Sequence, residues 1–184
     1  MALTPKDIAG MLDHSTLQPW LTEAEIRENL LTFHDIVIVA SLVEKETTRT
    51  SESASIASVI YNRLCSKLYP CLNIDATIQY VLPERKDTLT LADKSVVSPY
   101  NTYTKAGLPV GPISNPGVNS IRAALYPADT TYYFYALDPG GFNHFSSNYY
   151  EHEEYLAQLR GKDEETEGTE ETDEEATGET ENDT

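Results

Sequence analysis

The sequence predicts an α+β domain with helices gathered around a buried apolar segment and a small antiparallel sheet. Three observations carry this reading. Ile36 to Val43 is apolar at every position but Ser41 and ends abruptly in Glu44, Lys45 and Glu46, so the segment belongs in a core with charge at its mouth. Ile56, Val59, Ile60 and Leu64 recur at helical spacing. Thr131 to Leu137 is dense in aromatic residues and is followed by Asp138-Pro139-Gly140-Gly141 and a second short run, Phe142 to Ser146, which together read as a hairpin.

In chain order, Asp7 to Leu12 reads as a short helix that Gln18-Pro19-Trp20 interrupts. Thr22 then caps a second helix, with Glu25 completing a capping box. The run from Thr32 to Thr47 suits a buried strand by its DIVIVA core alone, and a buried helix by its full length without Gly or Pro. Read as a helix, it puts Glu46 on the face of Val39, Leu42 and Val43, at i−7, i−4 and i−3. A carboxyl partly desolvated there has a raised pKa, which suits a general acid. The alternative is that Glu44 and Glu46 simply solvate a helix end.

The next helix is expected from Glu52 to Leu68, capped by Thr50 or Ser51 and ended by Pro70. Arg63 lies near its buried stripe, placed either for an ion pair with Glu44, Glu46 or Glu52 or for a role on substrate. Asp75 is expected to be the N-cap of a two-turn helix, with catalysis or substrate contact as the other reading. From Ser98 to Gly117 Pro and Gly recur too often for regular structure, and a helix resumes from Val118 to about Leu125. Within that loop Tyr100, Asn101 and Tyr103 offer flat rings and an amide, the mixture that stacks on sugar faces and bonds acetamido groups. His144, on the returning strand of the hairpin, either is a hydrogen-bonded structural residue or faces a cleft. A helix from Tyr149 to Arg160 closes the domain.

Net charge is −17, of which residues 161–184 supply −11 through twelve acidic residues against one lysine, leaving −6 for residues 1–160. The acidic tail cannot bury enough apolar surface to order itself and is expected to be disordered. A mildly acidic body without a basic patch argues against nucleic acid as a partner. No run of 18 apolar residues is present to span a membrane, and the start lacks the form of a signal peptide. Cys65 and Cys71 have neither metal-ligand spacing nor the density of a disulfide scaffold.

Two resemblances add to this. Leu12 to Asn29, LDHSTLQPWLTEAEIREN, resembles the opening of deoxyribose-phosphate aldolases. No eight-fold alternation of strands and helices follows, so a barrel and aldolase activity are not expected, and Asp13 and His14 read as a helix end and turn. The strings ASLVEKET, IASVIYNRL, NIDATIQY, PYNTY, AGLPVGPISNPGVNSIRAALYPA and GGFNHFSS, in that order, resemble the catalytic domain of the endolytic murein transglycosylases, the YceG-like family, over residues 31–160. Three parts result: residues 1–30, aldolase-like and helical; residues 31–160, catalytic; and residues 161–184, the acidic tail.

What this resemblance implies is specific. The second glutamate of the Glu-Lys-Glu string, Glu46, is the catalytic acid and base, and the substrate is the glycan strand of peptidoglycan. The MurNAc–GlcNAc β-1,4 bond is broken by the substrate's own C6 hydroxyl, leaving a 1,6-anhydro-MurNAc end, so one carboxyl suffices and no cofactor or metal is required. Tyr100, Asn101 and Tyr103 are then subsite contacts, with Asp75, Arg63 and His144 in support. Family members have Asp-Pro-Thr where this chain has Asp75-Ala76-Thr77, which loses some preorganisation at the helix start. They also carry a membrane-spanning helix and a LysM-like module. The resemblance therefore implies a place at the outer face of the cytoplasmic membrane, in cell wall biogenesis, with peptidoglycan synthases as partners. Two other readings stay open. A hydrolytic muramidase needs a second carboxylate, Glu44 or Asp75, and a peptidoglycan-binding fragment needs no catalysis.

Overall fold

The computed structural model describes residues 32–47 and 49–174. The two helices expected before residue 31 and the aldolase-like string lie outside the described residues. Six helices and a two-stranded sheet follow one another: α1 (Phe33–Glu46), α2 (Ser53–Cys65), α3 (Asp75–Val81), α4 (Leu91–Lys94), α5 (Val118–Leu125), β1 (Phe134–Leu137), β2 (Asn143–Ser146) and α6 (Tyr149–Glu174). They form two compact units, one ending at Tyr133 and one beginning at Phe134.

In the first unit α1, α2 and α5 pack on one another, and α3 packs on α1. The apolar run is a helix. Thr32 caps it, its side chain accepting from the Asp35 amide while the Asp35 carboxylate accepts from the Thr32 amide. Ile38, Val39, Leu42 and Val43 are buried, as are Ile56, Val59 and Ile60 of α2 and Ala123, Ala124 and Leu125 of α5. Burying each of the larger of these side chains contributes about 1.5–3 kcal/mol. Ser41 interrupts the run for a reason. Fully buried, its hydroxyl donates to the Ile38 carbonyl at 2.7 Å and accepts from the Ile113 amide at 3.0 Å, and its carbonyl accepts from the Ser114 hydroxyl at 2.9 Å. One polar residue in an apolar helix thus fastens the irregular loop 95–117 to the core.

Several boundaries differ from expectation. Helix α2 begins after Glu52 without a side-chain cap from Thr50 or Ser51, and ends at Cys65 rather than Leu68. There the Ser66 hydroxyl accepts from the Leu68 and Tyr69 amides and turns the chain. The first strand starts at Phe134 rather than Thr131, because side chains of α2 take the preceding carbonyls. Asn62 donates to Thr130 and Tyr132, each at 2.9 Å, and Arg63 donates to Tyr133 at 3.0 Å. Cys65 and Cys71 are both free thiols.

In the second unit β1 and β2 pair antiparallel, Phe134 opposite Ser146 and Leu137 opposite Asn143, and α6 packs on both. The predicted turn holds the hairpin. The Asp138 carboxylate accepts from the Phe142 amide at 2.8 Å, and Gly141 adopts φ 76°, a left-handed backbone that glycine takes without steric cost. Helix α6 runs to Glu174, well past Arg160, where the acidic tail was expected to lose structure. Glu is a good helix former and no proline interrupts the segment, so local propensity favours the longer helix.

Candidate functional site

The last turn of α1 presents two carboxylates to different surroundings. Glu44 turns toward the start of α5, where its Oε2 accepts from the Ser120 hydroxyl at 2.6 Å and the Gly117 amide at 3.0 Å. Gly117 is the N-cap of α5, so the carboxylate also sits at the positive end of a helix. The Ser120 hydroxyl, the Gly117 amide and the charge of Lys45 together hold the Glu44 carboxyl below its usual range, against the smaller opposing effect of burial. A carboxylate so held stays ionised and has no proton to give near neutral pH. Glu46 is half-buried, and its charge acts on the phenol of Tyr103.

Tyr103 belongs to a loop that polar side chains dock rigidly. The loop residue Thr102 is buried. Its hydroxyl accepts from the Ile74 amide at 3.0 Å and lies 2.9 Å from the Thr77 hydroxyl, while its carbonyl accepts from the Asn73 amide at 3.1 Å. These bonds bring Tyr103 to the start of α3, where its hydroxyl donates to the Asp75 carboxylate. Lys94 of α4 completes the group, with Nζ 3.2 Å from the same carboxylate oxygen and 4.7 Å from the centre of the Tyr103 ring. The phenol is held well above its ordinary range, first by burial, then by its bond to Asp75, then by the charges of Asp75 and Glu46, with Arg63 opposing. It therefore remains a protonated donor.

Of the residues singled out from the sequence, Glu46, Arg63 and Asp75 all come within electrostatic reach of Tyr103. Three expectations change in detail. Asp75 is not the cap: Ile74 is, without a side-chain bond, and this leaves the Asp75 carboxylate to Tyr103 and Lys94. Arg63 is buried and donates from Nε to the Cys71 carbonyl at 2.9 Å as well as to Tyr133, so it braces the backbone on either side of the site. Asn101 does not offer its amide to a ligand. It is 1% exposed; Nδ2 donates to the Lys94 and Val96 carbonyls at 3.0 and 2.7 Å, and Oδ1 accepts from the Tyr103 amide at 2.8 Å. An amide with its donors and acceptor spent inside the loop shapes the loop.

Tyr100 is half-buried and packs at 4.9 Å, tilted by 54°, against Tyr80, which is half exposed. His144 belongs to the second unit, where its ring stacks on Tyr155 at 3.8 Å. Sequence reasoning passed over Tyr80 and Lys94. The signal for Lys94 was the Thr90–Asp93 capping box that starts α4 and sets its register. Among the described residues no cluster of three or more His, Cys, Asp and Glu side chains is built to hold a metal ion, and no helix is long and apolar enough to cross a membrane.

Comparison with known proteins fits this arrangement of helices and loop. The YceG-like family matches residues 4–158. The chain belongs to the YceG-like family. The match begins well before residue 31, so it takes in the whole stretch, Leu12 to Asn29, that resembles an aldolase opening. A crystal structure of a yceG-like protein from Listeria monocytogenes is 39% identical and superposes with a TM-score of 0.61, covering 71% of this chain and 41% of that one. A protein of Bacillus subtilis strain 168, named endolytic murein transglycosylase, is 36% identical over 144 residues, 76% of this chain. A protein of the same name from Streptococcus pneumoniae is 31% identical over 139 residues, 72% of this chain. The chain spans 39% of the Bacillus relative and 25% of the Streptococcus relative.

Proposed function

We propose that this YceG-like chain is the catalytic part of an endolytic lytic transglycosylase that cleaves the MurNAc–GlcNAc β-1,4 bond of peptidoglycan strands, with Glu46 as the acid that becomes the base. The observation that carries the reading is the division of labour at the end of α1. Glu44 is committed to Ser120 and Gly117, whereas Glu46 lies half-buried beside a cluster of fixed polar side chains. The names of the relatives support the substrate and reaction type.

In this scheme the protonated Glu46 gives its proton to the glycosidic oxygen as the C1–O4 bond breaks and GlcNAc leaves. The carboxylate then takes the proton of the MurNAc C6 hydroxyl as that oxygen bonds to C1, closing the 1,6-anhydro ring. The carboxyl ends as it began and no water is consumed. Lys94, which has donors beyond its contact with Asp75, supplies charge and hydrogen bonds beside the reacting sugars, Tyr103 holds Asp75 in place, and Tyr80 with Tyr100 offers a ring surface for a sugar face. The same reading puts the chain's work at the outer face of the cytoplasmic membrane, in cell wall biogenesis beside peptidoglycan synthases.

Digestion of purified glycan strands followed by mass spectrometry tests it. Anhydro ends that disappear with Glu46→Gln are expected. Products about 18 Da heavier identify hydrolysis instead. In that case Asp75 would be the second carboxylate, although Tyr103 and Lys94 already engage it. Strand binding without cleavage by the unaltered protein would leave only the peptidoglycan-binding reading.

A further inference from the structure

A cavity of about 380 Å³ opens between the start of α2 and α5, lined by Thr50, Ser53, Ala54, Asn119, Arg122, Ala123 and Tyr126. It adjoins the candidate site through the chain. Thr50 lies on the short connection that leaves Glu46, and α5 is the helix whose Ser120 holds Glu44. Arg122 is its one charged lining residue. Among the described residues no carboxylate pairs with this guanidinium, and no hydrogen bond engages the side chains of Asn119, Thr50 or Tyr126. The exposed guanidinium is therefore open to an anion entering the cavity.

We infer that this cavity is a binding site for a carboxylate of the short peptide that murein carries on its MurNAc sugars, with Arg122 as the anion-binding residue. The inference rests on the proposed substrate and adds what that reading does not contain, recognition of the peptide rather than the sugar. The lining suits such an occupant better than a bare glycan. Ala54, Ala123 and the Tyr126 ring accept small apolar side chains, Asn119 and Thr50 can bond an extended backbone, and Arg122 offers paired donors to a carboxylate. Tyr126 is its only aromatic ring, whereas sugar faces are usually met by several.

The test uses the chain with two substrates and one ligand: glycan strands bearing their peptides, the same strands stripped by an amidase, and a synthetic stem peptide with free carboxylates. We expect the peptide to bind the unaltered chain in NMR titration, shifting resonances of α5 and residues 50–54. Arg122→Gln is expected to weaken that binding about ten-fold, the loss of one charge-assisted bond, and Arg122→Lys to restore part of it. The same variant is expected to raise KM on peptide-bearing strands and abolish any preference for them over stripped strands, while kcat changes little. Failure of the peptide to bind, or equal effects of Arg122→Gln on both kinds of strand, overturns the site. A chain that binds the peptide through Arg122 but releases no anhydro product retains the site and loses the proposed reaction. Circular dichroism of each variant reports its folding, and Asn119→Ala, also expected to weaken the peptide, gives a second, uncharged probe of the same cavity.

Discussion

The two sides of the last turn of α1 are built on different principles. On the side of α5, Glu44 makes short bonds to Ser120 and Gly117 that tie two helices together and keep the carboxylate charged. On the side of the loop, the charge of Glu46 acts on Tyr103, which Asp75 and the Asn101 side-chain amide oxygen already hold, as Lys94 holds Asp75 and the Cys71 and Tyr133 carbonyls hold Arg63. A side chain that fastens the fold cannot also exchange a proton with a ligand. The difference teaches that two glutamates one residue apart can meet distinct electrostatic surroundings, one fixed by hydrogen bonds at a helix start and the other acting by charge on a fixed phenol.

The sharpest way to break this comparison is to exchange the two residues' fates. Glu46→Gln keeps shape and hydrogen bonding but removes the exchangeable proton, so turnover on glycan strands is expected to fall by about 10²–10⁴-fold with strand binding retained. Glu44→Gln is expected to reduce turnover far less. Anhydro product counted by mass spectrometry checks both, and equal losses would erase the distinction between the two sides.

The loop side is next. Asn101→Ala leaves the Lys94 and Val96 carbonyls and the Tyr103 amide without their partner in a buried setting, and is expected to cost about 3 kcal/mol in urea unfolding. An exposed subsite residue would cost almost nothing there, so a small loss with a large rise in KM would return Asn101 to the role of ligand contact. A smaller effect is expected on the α5 side. Ser120→Ala removes one hydroxyl from Glu44 while the Gly117 amide remains, and is expected to cost about 1 kcal/mol in the same measurement.

The smallest expected effect is a dependence on pH. Glu44 has its carboxyl lowered below 4.5 in the folded chain. Its contribution is therefore fully present above its unfolded value and is lost as pH falls through the lower folded one. Because the carboxylate is largely exposed, solvent screens much of that contribution. The stability gap between Ser120→Ala and the unaltered chain should thus narrow as unfolding is followed from about pH 6 down to about pH 3, by a few tenths of a kcal/mol. A gap that widened toward acid would mean that Ser120 favours the protonated carboxyl.

Much of this molecule is determined by sequence alone, and the reasons are local. The apolar run Ile36 to Val43 has to be buried wherever it goes, the spacing of Ile56, Val59 and Ile60 places α2, and Asp138-Pro139-Gly140-Gly141 has few conformations other than the observed turn. The same periodicity sets Glu46 on the face of Val39, Leu42 and Val43, and the residue is half-buried. What only the tertiary structure decided concerns which partner each polar side chain takes. Asp75 reads as a cap in sequence because caps are the commonest use of such a residue, and Tyr103 and Lys94, brought in from loop and helix far along the chain, outbid the local amides. Asn101 reads as a ligand contact because its type and its aromatic neighbours suit one, and becomes internal because the loop has no regular ladder and needs an amide to satisfy its backbone. The first strand begins late because Asn62 and Arg63 claim the carbonyls before it. Burial is a property of a residue and its spacing and can be read along one dimension. A hydrogen-bond partner is a property of two distant residues, and only folding brings them within 3 Å of each other.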